Sequence, residues 1–157
     1  MAWRVDDSVL VEPLGADLIA LAQCHALDAS VFPHPSMPAV LDGFAPAVFV
    51  ARLEPRGPIA GFVASRARDG ILEIVGLAVI EAHRGRGVGR ALLRAAIGSA
   101  RRRELDAVSL HCSTGNIAAL ELYTTEGFRP ARRLRRFYDP RRFPDGGDAY
   151  VMLLVLS

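Results

Sequence analysis

The stretch from Ile71 to Arg94 constrains the chain most, because it reads as a strand, a glycine-rich turn and a helix in immediate succession. Ile71 to Ile80 is an apolar, β-branched-rich run interrupted only by Glu73 and Gly76, and bounded by Gly70 and the charged region from Glu81 to Arg84. That pattern predicts a largely buried strand. Beyond it Val88, Ala91, Leu92, Ala95 and Ala96 recur at helical spacing. Between the two lie Gly85, Gly87 and Gly89, interleaved with Arg84, Arg86 and Arg90. The N–H groups at a helix start have no partner within the helix and carry partial positive charge, and glycine lets an anion approach the backbone closely. Arginines add formal charge around the same point. The turn therefore reads as a phosphate-binding device. It is not a Walker loop, since the chain contains no lysine, nor the dinucleotide fingerprint, since Arg90 stands where the third glycine is required.

At 157 residues the chain reads as a single domain, 1–157, able to bury about two-thirds of its unfolded surface. Its composition, 51% hydrophobic and 23% charged, is that of a globular protein. A net charge of +2 gives no argument for nucleic-acid binding, and no apolar run is long enough to span a bilayer. The N-terminus lacks a signal-peptide core and carries Asp6 and Asp7 where that core would sit. The two cysteines, Cys24 and Cys112, fall on different predicted elements with no C-x-x-C, so they read as reduced buried thiols. The expected setting is cytoplasmic, with no metal, no nucleic acid and no membrane.

In chain order, Trp3 to Glu12 reads as a first strand closed by Pro13. Gly15 to Ala29 reads as a helix with Asp17 near its start and Leu18, Ile19, Leu21, Ala22, His25 and Ala26 as its stripe. Three prolines between Val31 and Pro38 exclude regular helix there. Ala47–Leu53 and Ile59–Ser65 form a hairpin pair, and Asp69-Gly70 is the strongest short-range hairpin signal in the chain. The central helix runs to about Arg103. Ala107 to Cys112 alternates as a strand, and Asn116 starts a helix that Gly127 ends. The arginine-rich run from Arg129 to Arg142 is interrupted by Leu134, Phe137 and Tyr138, as a half-buried hairpin would be, and Ala149 to Leu156 closes the chain as a strand. This order gives an α/β domain with a mixed, largely antiparallel sheet.

Arg84-x-x-Gly87-x-Gly89, behind a strand containing Gly76-Leu77-Ala78-Val79, resembles the pyrophosphate-binding motif of the Gcn5-related N-acetyltransferases (GNAT). The segment Asn116 to Phe128 is similar to the second signature of that family, N-x-x-A-x-x-L-Y-x-x-x-G-F. The two motifs stand in the family's order, and the matching regions run from about Glu54 to the C-terminus. The resemblance implies a fold with splayed central parallel strands flanked by helices, here Ile71–Ile80 and Ala107–Cys112, with acetyl-CoA wedged between them. It also implies that Leu77, Ala78 and Val79 pair with the pantetheine arm. Arg84, Gly85, Arg86, Gly87, Val88, Gly89 and Arg90 would surround the pyrophosphate, Asn116 would bond the arm, and Tyr123 would sit by the sulfur.

The implied chemistry is attack of a neutral amine on a thioester. An α-amino group near pKa 8 reaches that state far more readily than a lysine near 10.4. A base must take the excess proton, directly or through a water, and an acid can protonate the departing thiolate. Tyr123 is the candidate acid. Glu73, a lone carboxylate in an apolar strand, and His111, whose imidazole exchanges protons near neutral pH, are rival bases. The run Arg136-Phe137-Tyr138-Asp139-Pro140, followed by Asp145-Gly146-Gly147-Asp148-Ala149, is similar to the family branch that acetylates protein N-termini, as is Phe32-Pro33 after the first helix. Phe32, Pro33, Phe137 and Tyr138 are accordingly candidate substrate contacts. Phe137 stands where that branch usually has a tyrosine, and the segment Asp139–Pro144 is an insertion relative to bacterial members. The expected partners are acetyl-CoA and a peptide or protein N-terminus, or else a small amine, with the chain acting as monomer or homodimer. A non-catalytic acyl-CoA sensor is the alternative of a different class.

Overall fold

A computed structural model of the chain describes residues 3–4, 9–32, 35–41, 46–139, 141–142 and 147–157. The strands are β1 (Trp3–Arg4), β2 (Leu10–Pro13), β3 (Ala47–Arg52), β4 (Ile59–Arg68), β5 (Ile71–Val79), β6 (Ala107–Ser113), β7 (Arg129–Leu134) and β8 (Ala149–Val155). The helices are α1 (Leu18–Val31), α2 (Met37–Leu41), α3 (Val88–Arg102) and α4 (Ile117–Thr125), with one 3-10 turn at Glu81–His83. All eight strands join one sheet in the order β1-β2-β3-β4-β5-β6-β8-β7. Every neighbouring pair is antiparallel except β5 with β6. The mixed, largely antiparallel sheet expected from the element order is therefore what forms.

The β4–β5 hairpin turns on Asp69 and Gly70, both at positive φ (52° and 78°), as a two-residue type I′ turn requires. That turn sets Arg68 opposite Ile71 and Arg66 opposite Glu73. Further along, Ala64 pairs with Gly76 while Ser65 pairs with Ile74, so Val75 is an extra residue on β5, a β-bulge. On its other edge β5 pairs with β6 only from Ile71–Ala107 to Ile74–Leu110. β5 then runs on to Val79 along β4, and β6 runs on to Ser113 along β8. The two parallel strands separate where the bulge sits.

Helices cover both faces. On one, α3 buries Val88, Ala91, Leu92, Leu93, Ala95, Ala96, Ile97 and Ala100 against Leu72, Ile74, Val108, Leu110 and Cys112, with Tyr123 of α4 and Phe128 in the same cluster. On the other, α1 and α2 set Ala20, Cys24, Leu27, Met37 and Val40 against Val50, Phe62, Ala64 and Ala78. β7 is an edge strand exposed at every position but Leu134, and Arg133 bonds Asp148 at 2.9 Å. Its arginines blunt an open sheet edge, and with β8 it forms an antiparallel hairpin in which Leu134 and Tyr138 are half-buried.

Two expectations from the sequence are corrected. The first strand is not continuous, because β1 and β2 are two short strands that pair antiparallel with each other. In α1 the expected stripe faces outward, with Leu18 and Ile19 76% and 74% exposed, while Ala20, Cys24, Leu27 and Asp28 are buried. The helix is apolar all round, so its composition left the orientation open, and Asp28 faces inward where it finds hydrogen-bond donors. Asp17 is the N-cap, accepting from the Ala20 N–H at 3.0 Å.

The corrected orientation of α1 is tested by a pair of truncations. Leu27→Ala should lower the unfolding free energy by about 2–5 kcal/mol, whereas Leu18→Ala should change it by under about 0.5 kcal/mol. Urea denaturation checks both, and equal losses would restore the outward residues to the core.

Candidate active site

The gap between β5 and β6 is the place where functional groups from both faces of the sheet can meet. On the α3 face the turn after β5 carries Gly85 and Gly87 at φ 77° and 80°, and a Cβ at either would meet nothing within 4 Å. Both glycines are exposed, so the backbone here is open to close approach by an anion. Gly87 caps α3, and the first intrahelical bond runs from the Ala91 N–H to the Gly87 carbonyl at 3.0 Å. The N–H groups of Val88, Gly89 and Arg90 thus lie at the positive end of a 15-residue helix without partners inside it. Arg84 folds back, donating Nε to the Val79 carbonyl at 3.2 Å. Arg90 is turned towards α4, 3.2 Å from Thr125 Oγ1 and 3.4 Å from Glu126, and Arg94 meets the same carboxylate at 2.5 Å. Arg86 is exposed. Leu77, Ala78 and Val79 lie on β5 beyond the last pair with β6, so that edge of the strand faces the gap.

α4 supplies the other groups on this face. Asn116 caps it, its Oδ1 accepting from the Ala119 N–H at 3.2 Å, so a contact to a cofactor arm falls to its amide nitrogen. Two residues past the middle of α4, Tyr123 is buried beside Phe128, their rings edge-on at 5.9 Å. Burial pushes the Tyr123 phenol well above its ordinary range, with Cys112 and Tyr138 acting in the same direction. The phenol therefore stays protonated and is a donor throughout the neutral range. Burial likewise pushes the Cys112 thiol up to about 11 and the Tyr138 phenol up to about 12.

The opposite face receives the two candidate bases, His111 and Glu73. Because Val108, Leu110 and Cys112 pack towards α3, strand alternation sends Ser109 and His111 to the α1–α2 side. His111 is exposed and lies one residue past the last β5–β6 pair. The Phe137 ring stacks on its imidazole, 4.6 Å between centroids and 3° between planes, and Tyr138 meets Phe137 edge-on at 4.9 Å. The Tyr138 N–H is fastened to the Gly147 carbonyl at 2.8 Å. Glu73 shares this face but sits level with Ser109, where the ladder is still closed, and bonds Arg66 at 3.0 Å. Phe32 packs against the α1–α2 cluster that includes Ala78. Pro33 lies outside the described residues.

The structure thus gathers His111, Phe137 and Tyr138 at one end of the gap and places Tyr123 on its other side. It leaves Glu73 in an ion pair. Two neighbours went unread in the sequence. Arg66 was legible, since a two-residue turn at Asp69-Gly70 fixes residue 66 opposite 73. Cys112 beside Tyr123 was not, because that contact joins a strand to a later helix. Among the described residues no group of three or more His, Cys, Asp or Glu could hold a metal ion, and no helix is long and apolar enough to cross a membrane.

Comparison with known proteins places this geometry. The model of the Acetyltransferase (GNAT) family matches residues 18–128. An N-alpha-acetyltransferase of Sulfurisphaera tokodaii is 30% identical over 123 residues, 70% of this chain and 70% of that protein. The N-alpha-acetyltransferase RimI of Mycobacterium tuberculosis is 40% identical over 80 residues, 51% of this chain but only 46% of that relative. Among solved structures, the ribosomal-protein-S18-alanine N-acetyltransferase from Escherichia coli aligns with a TM-score of 0.79 at 25% identity, over 95% of this chain and 94% of that one. A GNAT family acetyltransferase from Elizabethkingia anophelis with acetyl-CoA bound shares the fold, with a TM-score of 0.78 at 20% identity over 96% of this chain and 100% of that one.

The protonation of the buried groups gives a test. Burial also pushes Cys24 up to about 11. Cys24, Cys112 and Tyr138 all hold their protons more tightly folded than unfolded. The contribution of the two thiols is complete below 9.0 and is lost as pH climbs towards 11, and that of Tyr138 is complete below 10.0 and lost towards about 12. Urea midpoints should therefore fall over these intervals. At neutral pH, labelling of native thiols should run at least about a hundredfold slower than in denatured chain.

Proposed function

Since the chain belongs to the acetyltransferase (GNAT) family and is an N-acetyltransferase, we propose that its acceptor is the α-amino group at the N-terminus of a protein or peptide. The observation that carries this reading is the division of labour across the β5–β6 gap. An exposed imidazole and an aromatic wall lie on one face, and a buried phenol and the glycine turn lie on the other. An open face flanked by Phe32, Phe137 and Tyr138 suits the first residues of a chain whose remainder stays in solvent. The names of the Sulfurisphaera tokodaii and Mycobacterium tuberculosis relatives support the same acceptor.

Acetyl-CoA supplies an acetyl group activated as a thioester. The free edge of β5 at Leu77, Ala78 and Val79 would hold its arm, with the Asn116 amide nitrogen alongside. The N–H groups from Arg86 to Arg90 would meet its pyrophosphate at the helix end, with Gly85 and Gly87 open to it. Arg84 would add charge by leaving the Val79 carbonyl. His111, on the acceptor face, takes the excess proton of the amine, directly or through one water, as the C–N bond forms. Tyr123, on the other face, donates to the sulfur as the C–S bond breaks. One proton leaves nitrogen and one reaches sulfur, so no other reactant is needed. An α-amino group is partly neutral near pH 7 and asks little of the base, which fits a single exposed imidazole. Glu73 balances Arg66 rather than serving as the base, because its carboxylate is engaged where the strands are still paired. Phe137 fixes the imidazole plane through the stack.

The test is thiol release from acetyl-CoA with a panel of short peptides, the same peptides blocked at the N-terminus, and small amines. Turnover should be confined to free N-termini. His111→Ala should lower kcat by about 10²-fold or more, as should Tyr123→Phe, whereas Glu73→Gln should leave kcat close to wild type. Turnover on small amines alone would make the aromatic wall part of a closed pocket. Tight acetyl-CoA binding with no turnover would make the chain an acyl-CoA sensor.

A further inference from the structure

One buried acid has no part in the chemistry above. Asp28, in the last turn of α1, is fully buried, and its carboxylate holds Ser36 and Met37 where the segment from α1 reaches α2. Its backbone carbonyl accepts from the Phe32 N–H at 3.0 Å. Its Oδ1 accepts from the Ser36 N–H at 3.0 Å and from the Ser36 hydroxyl at 2.8 Å, and its Oδ2 accepts from the Met37 N–H at 2.8 Å. Three of these bonds converge on the carboxylate, from Ser36 and Met37, and the fourth is the backbone bond that ends α1. Ser36 is itself 5% exposed and lies against Gly76, where an added Cβ would stand 2.9 Å from the Ser36 Cβ and closer still to its hydroxyl. Gly76 adjoins the bulge at Val75, at the point where β5 leaves β6. The chain from Asp28 to Ser36 to Gly76 therefore ties the α1–α2 segment to the mouth of the gap. Phe32 at the start of that segment packs on the cluster that contains Phe62 and Ala78.

We propose that Asp28 is a positioning residue for the acyl acceptor, holding the end of α1, where Phe32 stands, and the start of α2 against β5 at the β5–β6 gap through Ser36 and Gly76. The inference rests on the transferase reading above but not on which amine is accepted. An ordinary structural carboxylate would support folding and both substrates alike. Asp28 differs because the residues its carboxylate holds, Ser36 and Met37, lie on the α1–α2 face of the sheet, whereas the glycine turn, α3 and α4 lie on the other. Its loss should loosen the acceptor and leave acetyl-CoA binding intact.

The experiment is steady-state kinetics on the amine that wild type turns over best, beside the acetyl-CoA dissociation constant, for Asp28→Asn, Ser36→Ala and the double variant. Asn preserves shape but turns an amide N–H towards a backbone donor. The acceptor KM should rise about tenfold in Asp28→Asn, with kcat and the acetyl-CoA dissociation constant within about twofold of wild type. Ser36→Ala removes one bond while keeping the Cβ on Gly76, so it should raise KM in the same direction by less. Since both act on one clamp, the double variant should be no worse than the sum predicts and close to Asp28→Asn alone. If Asp28→Asn fails to fold, Ser36→Ala carries the test by itself. An unchanged acceptor KM in a folded Ser36→Ala, or an acetyl-CoA affinity that weakens by the same factor as KM rises, overturns the inference and leaves the transferase reading standing. Wild type inactive on every amine overturns both.

Discussion

The β5–β6 ladder holds for four residue pairs and then opens, and the site exists because it opens. A parallel pair flanked by antiparallel neighbours on both sides would normally stay zipped, since every unpaired N–H and C=O in a sheet interior has a cost. Here the bulge at Val75 adds twist to β5 while β4 continues to hold it on the other edge. β6 is held in the same way by β8 out to Ser113. The strands diverge without losing their outer partners. The β5 edge from Leu77 to Val79 has no strand partner on the β6 side, and Arg84 donates to the Val79 carbonyl.

Strand alternation then distributes the chemistry. Cys112 and His111 are adjacent in sequence and point to opposite faces. One joins the buried cluster with Tyr123, and the other stands in solvent under Phe137. A phenol buried against Phe128 keeps its proton and stays a hydrogen-bond donor, whereas the imidazole stands exposed. The same opening thus borders a buried phenol and an exposed imidazole, and the difference between them is burial.

The features legible in the sequence are local. Asp69-Gly70 predicts a two-residue turn because both residues tolerate positive φ, and that turn alone sets Arg66 opposite Glu73. The glycine turn before α3, the Asn116 cap and the Gly127 stop are likewise readable, since each depends on backbone conformation within a few residues. Gly76 was a further signal. An isolated glycine inside a strand marks a bulge or a close approach, and here it marks both. What failed was orientation. α1 is apolar around its whole circumference, so no stripe identifies its inner face, and the burial of Asp28 depends on donors that lie eight and nine residues away.

By itself the sequence determined the order of elements, the hairpin register, the phosphate-binding turn and the membership of the second signature, because these follow from short-range geometry and residue type. Tertiary structure alone decided where β5 and β6 part, that His111 reaches the gap while Glu73 sits where the ladder is still closed, and that the Asp28 carboxylate holds Ser36 and Met37. Each of those depends on which distant residues occupy the space around a group, and periodicity along one element carries no record of its neighbours.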